Sequence, residues 1–209
     1  MSSLLPLIIS SLLTSFMIAP LMASAPNTPE AQRHFDNLRV EMRDGITLST
    51  NVFFPKRSGP FPVILIRTPY DASGIKSADE WTEKGYAVVY QDTRGRFRSE
   101  GEDLPWVGET EDAEDTINWI VRQPWCDGNI GMYGGSYLAF TQVAAVQTGH
   151  PALKIIAPTI IGADRYFTSY WGGALRHGRL SRWLLRSPTD FDQAKLELSL
   201  IHISEPTRH

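Results

Sequence analysis

The amino-acid sequence predicts an α/β protein whose sheet begins with a pair of antiparallel strands. Three observations predict this class: a hairpin pattern in residues 38–54, two continuous apolar runs at 62–67 and 86–91, and helical patterns after them. Continuous apolar runs are typical of strands that are buried on both faces, as in sheets covered by helices. Strands and helices that follow one another in this order define the α/β class.

The first two strands are predicted from a period-two pattern. Residues 38–43 and 46–54 alternate apolar and polar side chains, and Asp44-Gly45 lies between them. Such a dipeptide supplies the positive φ angles that a tight hairpin turn requires. We therefore expect a hairpin here, with His34 preceding the fold at the protein surface.

A helix is predicted to begin at Thr110 and to end before Pro124. The Thr110 hydroxyl can cap the free N–H groups of the helix, and the acidic residues that follow interact favourably with the positive end of its dipole. This helix has one apolar face, formed by Ala113, Ile117, Ile120 and Val121. Such a face predicts a helix that packs against the sheet.

Ser136 lies between a short apolar strand pattern, residues 128–133, and a helical pattern that starts at Leu138. A serine at a sharp strand-to-helix turn stands at the carboxyl end of the sheet, which is where a nucleophile elbow places it. Gly134, two residues earlier, lacks the Cβ that would clash with the incoming helix. The general pattern G-x-S-x-G has glycine where this chain has Leu138, so the motif by itself leaves a purely structural turn open.

The composition excludes several functional classes. The 209 residues include 20 Lys and Arg and 23 Asp and Glu, and the net charge of −3 provides no general attraction to nucleic acid. The single cysteine, Cys126, excludes an intrachain disulfide framework. No cluster of His, Asp and Glu has metal-ligand spacing, so we expect neither a metal nor an organic cofactor.

The two ends of the chain are predicted not to belong to the fold. Residues 4–22 are almost entirely apolar, and Ala23-Ser24-Ala25 has the small-x-small spacing of a signal-peptidase site. We expect residues 1–25 to be a signal peptide and the protein to be secreted or periplasmic, with no stable membrane association if the signal is cleaved. A retained membrane anchor is the alternative. Residues 198–209 resemble a translated sequencing adapter, so we expect a cloning or assembly scar there and a natural reading frame that continued further.

Five spaced motifs give the chain a resemblance to a known family. In order along the chain they are RDGITL (43–48) with FP (54–55), RTPYD (67–71), QDTRG (91–95) with SEG (99–101), PWCDGNIG (124–131) and GGSYL (134–138). Together they resemble the Xaa-Pro dipeptidyl-peptidase-like hydrolases, the CocE/NonD group that includes cocaine esterase, α-amino acid ester hydrolases and glutaryl cephalosporin acylases. The resemblance implies the N-terminal part of an α/β-hydrolase fold over residues 26–160, and the start of a helical cap over 161–197.

The resemblance also implies roles for three residues. Ser136 matches the nucleophile, the backbone N–H of Tyr137 matches one donor of the oxyanion hole, and the hydroxyl of Tyr70 matches the other donor. A helix start and a phenol are both suitable donors to a developing oxyanion. For Tyr70, a role as an ordinary surface-loop tyrosine remains open.

The other polar residues of these motifs are expected to be structural. Asp92 and Arg94 are available for an ion pair at the floor of the site, and Ser99 lies in the same loop. Cys126 has no histidine placed to activate it. Asp164 is considered as a contact for the amino group of a substrate.

No histidine in the chain is placed to act as the base of a catalytic triad. His150 ends the helix that follows Ser136 and points away from it, His177 falls in the expected cap, and His202 and His209 fall in the expected scar. In the resembled family, the triad Asp and His come later in the chain than the serine.

The sequence therefore predicts a fragment of a serine hydrolase that cleaves ester or amide bonds through an acyl-enzyme. Its substrate would be a small-molecule ester, an amide or a short peptide, and the full-length enzyme is a possible homo-oligomer. The fragment itself is expected to be inactive. The alternative is a non-catalytic α/β module in which Ser136 is only a turn residue.

Overall fold

The computed structural model describes residues 34–73, 78–162, 164–176, 178 and 183. The predicted signal peptide (1–25), the predicted scar (198–209) and most of the second half of the predicted cap lie outside the described residues. None of the helices in the described residues is long and apolar enough to span a membrane.

A six-stranded mixed sheet with helices on its faces forms the described part of the chain, and the α/β prediction is confirmed. The strand order is β1-β2-β4-β3-β5-β6, with β1 and β2 antiparallel to their neighbours and β4, β3, β5 and β6 mutually parallel. The elements are β1 (His34–Glu41), β2 (Thr47–Phe53), β3 (Phe61–Thr68), α1 (Ala78–Glu83), β4 (Ala87–Asp92), α2 (Glu109–Val121), β5 (Cys126–Gly135), α3 (Tyr137–Gln147), β6 (Leu153–Thr159), α4 (Arg165–Ser169), β7 (Tyr170–Trp171) and β8 (Ala174–Leu175).

The predicted hairpin is formed by β1 and β2. The backbone N–H of Gly45 donates to the Met42 carbonyl at 2.9 Å, and Gly45 has a φ of 83°, which favours glycine. The strand β1 begins four residues earlier than the alternation predicted. The expectation that His34 precedes the fold is therefore wrong, although the residue is exposed: its ring stacks on Phe53, with 4.2 Å between the centroids.

The central strands β3 and β4 are buried on both faces, as their apolar runs predicted. One face packs against α2 and α3 through a cluster that includes Val63, Leu65, Val89, Ile117 and Ile120. The opposite face packs against α1 through a smaller cluster that includes Ile64, Ile66, Val88, Tyr90 and Ala78. Each fully buried side chain of this size contributes about 1.5–3 kcal/mol to the free energy of unfolding. The edge of this packed sheet is a rigid support for the loops it carries.

The helix α2 begins earlier than the sequence predicted. Its N-cap is Gly108, with a φ of 72°, and Thr110 lies inside the first turn. The prediction that Thr110 caps the helix is therefore wrong. The reason is that Glu109 and Asp112, one turn apart, both contact the buried guanidinium of Arg67, which anchors the helix start on β3.

After β6 the described residues form the short helix α4 and the two-stranded hairpin β7–β8. Asp164 is the N-cap of α4, and its Oδ1 accepts the N–H of Tyr166 at 2.6 Å. Capping is therefore the role of Asp164 that the described residues show. The predicted helical cap over residues 161–197 stays a prediction.

Candidate active site

Ser136 occupies a sharp turn between β5 and α3, at the carboxyl edge of the sheet. Its backbone has φ 60° and ψ −121°, a combination that costs a residue with a side chain about 1–3 kcal/mol. Hydrogen bonds on both sides hold the turn: the Ser136 N–H donates to Thr159 O at 3.0 Å, and its carbonyl accepts the N–H groups of Ala139 and Phe140. Ser136 is exposed at this turn. The strand, turn and helix predicted around this serine are therefore confirmed.

Gly134 is required by the close approach of α3 to the end of β5. A Cβ at this position would lie 2.8 Å from the Cβ of Leu138 and 2.9 Å from its Cδ2, and the φ of Gly134 is 134°. The predicted reason for a glycine two residues before the serine is thus confirmed. The side chain it must avoid is that of Leu138, the residue that departs from the general G-x-S-x-G pattern.

Gln142, a fully buried residue of α3, connects the turn to the two last strands of the sheet. Its Nε2 donates to the Gly134 carbonyl at 3.0 Å, and its Oε1 accepts the N–H of Ala157 on β6 at 3.0 Å. Removing either partner would leave a buried polar group without a hydrogen bond. Gln142 was not predicted from the sequence.

Tyr137 places its backbone N–H beside Ser136 and anchors its side chain in the interior. Because Tyr137 is the first residue of α3, its N–H has no partner within the helix. Its hydroxyl donates to Glu109 Oε1 at 2.7 Å and accepts the N–H of Trp106 at 2.9 Å. Burial raises the pKa of Tyr137, and the nearby negative charge of Glu109 raises it further, so the hydroxyl stays protonated and donates.

Beneath Tyr137 lies a buried cluster of ionised side chains that sequence reasoning did not identify. Arg67 Nη1 is 2.7 Å from Glu109 Oε2, and Arg67 Nη2 is 3.6 Å from Asp112 Oδ2. Arg94 Nη2 contacts Asp112 Oδ1 at 2.6 Å, and its Nη1 reaches Asp44 at 2.7 Å on the surface. The paired charges compensate one another's loss of hydration, and removing one partner would leave a buried charge uncompensated.

The expected ion pair between Asp92 and Arg94 is wrong, because Arg94 points instead toward Asp112 and Asp44. Asp92 is buried, and its Oδ1 accepts the backbone N–H of Ala72 at 2.6 Å. Burial raises the pKa of the Asp92 carboxyl. Ser99 has the structural role that was expected: its hydroxyl donates to the Asp92 carbonyl at 2.7 Å and accepts the N–H of Ser49 at 2.9 Å.

Tyr70 follows the carboxyl end of β3, the strand next to β5. The two strands are parallel and paired through Leu65 and Met132, and the chain reaches Tyr70 just after the end of β3 and Ser136 just after the end of β5. Tyr70 is 46% exposed. Neighbouring parallel strands thus bring Tyr70 and Ser136 to the same edge of the sheet.

An aromatic group connects Tyr70 with Tyr137. The indole N–H of Trp183 donates to the Tyr70 hydroxyl at 3.2 Å, and its ring stacks on Tyr137 at 5.6 Å and on Trp106 at 5.3 Å. The side chains of the two residues that carry the predicted oxyanion donors therefore share one neighbour. Trp106 was not singled out from the sequence, since a lone tryptophan in an acidic loop carries no motif.

The remaining candidates lie away from this edge or are chemically inactive. Burial raises the pKa of the Cys126 thiol, so the thiol stays protonated at neutral pH. His150 Nδ1 accepts the N–H of Ala152 at 3.1 Å, before the start of β6 and thus at the opposite edge of the sheet from Ser136. His177 lies outside the described residues.

Within the described part of the chain, no three His, Cys, Asp or Glu side chains are grouped so that they could hold a metal ion.

The strand order and the strained serine turn define the chain as an α/β-hydrolase fold protein. A family model places it further: residues 44–201 match the X-Pro dipeptidyl-peptidase (S15 family) model, and the chain belongs to that family. The predicted fold and the predicted family resemblance are thus confirmed.

Three known proteins illustrate the relationship. The chain is 47% identical over 156 residues to the cocaine esterase of Rhodococcus sp. (strain MB1 Bresler), covering 70% of this chain and 27% of that protein. It is similar to the structure of an α-amino acid ester hydrolase, with a TM-score of 0.57, 33% identity and coverage of 71% and 29%. It is also similar to a CocE/NonD family hydrolase from Staphylococcus aureus, with a TM-score of 0.55, 32% identity and coverage of 59% and 26%. The chain spans less than a third of each of these proteins.

Proposed function

We propose that this chain carries the nucleophile and the oxyanion hole of a serine hydrolase that cleaves ester or amide bonds. Ser136 attacks the carbonyl carbon of the substrate and forms an acyl-enzyme, while the leaving group departs with a proton. Water then hydrolyses the acyl-enzyme, which returns Ser136 to its free form. The chain belongs to a hydrolase family whose members include esterases and peptidases.

The observation that carries the proposal is the backbone conformation of Ser136. A turn with φ 60° and ψ −121° is unfavourable for serine, and the structure around it maintains that turn with three backbone hydrogen bonds. Strain of this kind persists where the exposed side chain has a function. In this proposal the N–H of Tyr137, at the positive end of α3, and the hydroxyl of Tyr70, which follows the neighbouring strand at the same edge of the sheet, both donate to the developing oxyanion.

The proposal includes a base and an orienting carboxylate from outside these 209 residues. Neither His34 nor His150, the two histidines among the described residues, lies at the edge that carries Ser136. The chain also spans only 27% of cocaine esterase. We call the longer protein that would contain these groups the parent protein. The chain alone should then have no turnover, because a serine hydroxyl without a base is a weak nucleophile.

Turnover by the parent protein tests the proposal. Hydrolysis of p-nitrophenyl acetate should fall to the background rate in Ser136→Ala, since the covalent route is lost. Ser58→Ala, which removes a hydroxyl from an exposed loop, is the matched control and should retain the full rate. Equal rates in the two variants would support the alternative, a non-catalytic module in which Ser136 is a turn residue.

The proposed substrates are small-molecule esters, amides or short peptides.

We also propose that the protein is exported by way of a signal peptide, residues 1–25. Cleavage after Ala25 would make Pro26 the first residue of the mature protein. N-terminal sequencing of protein from the native host tests this. A sequence that begins at Met1 would contradict the cleavable signal.

A further inference from the structure

The segment that carries Tyr70, residues 69–72, is held by side chains from the neighbouring strands. Ala72 is buried, and its N–H donates to Asp92 Oδ1 while its carbonyl accepts from Asn51 Nδ2 at 3.1 Å. The N–H of Tyr70 donates to Thr68 Oγ1 at 3.0 Å. The segment is therefore fixed on the side that follows Tyr70 and at Tyr70 itself.

On the preceding side, the segment is held by Arg96. The Nε and Nη2 atoms of Arg96 both donate to the Pro69 carbonyl, at 3.1 and 2.8 Å, and Nη1 donates to Asp103 Oδ2 at 2.8 Å. The residue is only 6% exposed. A buried guanidinium with all three nitrogens engaged is a rigid support, because its planar fork cannot rotate without losing bonds.

Arg96 is itself held in place by a series of tight turns after β4. Its N–H donates to the Thr93 carbonyl at 3.1 Å, its carbonyl accepts the N–H of Ser99 at 2.9 Å, and Thr93 is bonded to β3 through Thr68 O at 2.9 Å. The loop after β4 and the loop after β3 therefore form one hydrogen-bonded unit.

We propose that Arg96 is a positioning residue for the oxyanion hole: by holding the Pro69 carbonyl it fixes the place of the adjacent Tyr70 hydroxyl. This inference rests on the proposed function, in which that hydroxyl donates to the oxyanion. Arg96 acts through Tyr70 and does not contact the substrate. A donor that is fixed before the reaction stabilises the transition state without a cost of reorganisation, and a displacement of about 1 Å can cost about 100-fold in rate.

The proposal predicts a specific pattern in a double-mutant cycle on the parent protein. Arg96→Lys keeps a positive charge for Asp103 but cannot fork onto the Pro69 carbonyl, and kcat should fall about tenfold. Arg96→Met removes both contacts and should lower kcat by up to about 100-fold. In both variants KM should change less than about twofold. In a Tyr70→Phe background, the same substitutions should leave kcat almost unchanged, because the group they position is already absent.

Arg43→Lys is the control, since Arg43 likewise donates to acidic side chains, those of Glu114 and Asp115, but to none of residues 69–72. It should leave kcat unchanged. Equal losses from Arg96→Lys with and without the Tyr70 hydroxyl would overturn the inference and assign Arg96 to the fold alone. An unchanged kcat in Tyr70→Phe would also overturn the positioning role of Arg96. Fluorophosphonate labelling of Ser136 would then test separately whether the protein is a serine hydrolase. If Arg96→Met does not fold, the cycle with Arg96→Lys decides the question.

Discussion

Gly134→Ala is the substitution that most directly tests how the serine turn is built. The new Cβ would lie 2.8 Å from Leu138 Cβ, well inside van der Waals contact, so either α3 or the end of β5 must move. Overpacking of this kind costs about 1–3 kcal/mol, and alanine at a φ of 134° adds about 1–3 kcal/mol of backbone strain. We expect a loss of about 2–6 kcal/mol in the free energy of unfolding, together with a lower kcat because the N–H of Tyr137 moves with α3.

The matched control for Gly134→Ala is Gly128→Ala on the same strand. Gly128 also has a positive φ, 86°, but a Cβ there would meet nothing within 4 Å. It should therefore show only the cost of backbone strain and no change in turnover. Thermal unfolding and ester hydrolysis of the parent protein measure both effects. Adding Leu138→Gly should relieve the steric part of the Gly134→Ala loss. Equal stabilities of the two alanine variants, with undiminished turnover in Gly134→Ala, would refute the steric explanation of this glycine.

Three further predictions concern the residues around the turn. Tyr70→Phe should lower kcat by about 10²–10³ with a smaller change in KM, measured by steady-state hydrolysis, if its hydroxyl is an oxyanion donor. Asp112→Asn should lower the free energy of unfolding, measured by denaturant titration, by about 3–5 kcal/mol, because Arg94 and Arg67 would lose a buried counter-charge. Asp44→Asn, at the exposed end of Arg94, should lower the free energy of unfolding much less. Burial raises the pKa of the Asp92 carboxyl above the ordinary 3.8, so the folded state binds the carboxyl proton more tightly than the unfolded chain does. The contribution of this group to the free energy of unfolding is therefore present at low pH and is lost as the pH rises through the raised pKa. Asp92→Asn should remove that component from unfolding curves recorded at increasing pH, starting near the ordinary pKa of 3.8; an unchanged pH dependence would contradict the assignment.

Local patterns in the sequence were sufficient for most of the fold. The alternation around Asp44-Gly45 predicted the first hairpin, and the apolar runs predicted β3 and β4, because burial on two faces leaves no polar positions in a strand. The boundary of α2 was wrong because its start is fixed by a tertiary contact. Arg67 on β3 holds Glu109 and Asp112, and a contact across 42 residues leaves no local signal at Thr110.

The candidate site was predictable only in part. Gly134 and Ser136 lie in a short segment whose spacing has a steric meaning, whereas the roles expected of Tyr137 and Tyr70 came from the family resemblance. The supports of the site could not be found in this way. Arg96 contacts the Pro69 carbonyl, a backbone atom that any residue would supply, so nothing in the sequence of residues 67–71 indicates its partner. The pairing of Arg94 with Asp112 depends in the same way on where α2 packs.

The central claim is that Ser136 is a nucleophile, and covalent labelling tests it most directly. The parent protein should react with a fluorophosphonate, and peptide mass spectrometry should locate one phosphonyl group on Ser136. Ser136→Ala should abolish the labelling, while Tyr70→Phe should slow it, since the tetrahedral phosphonyl group draws on the same donors as the oxyanion. A folded protein that stays unlabelled, or that is labelled at another serine with Ser136 free, would contradict the claim.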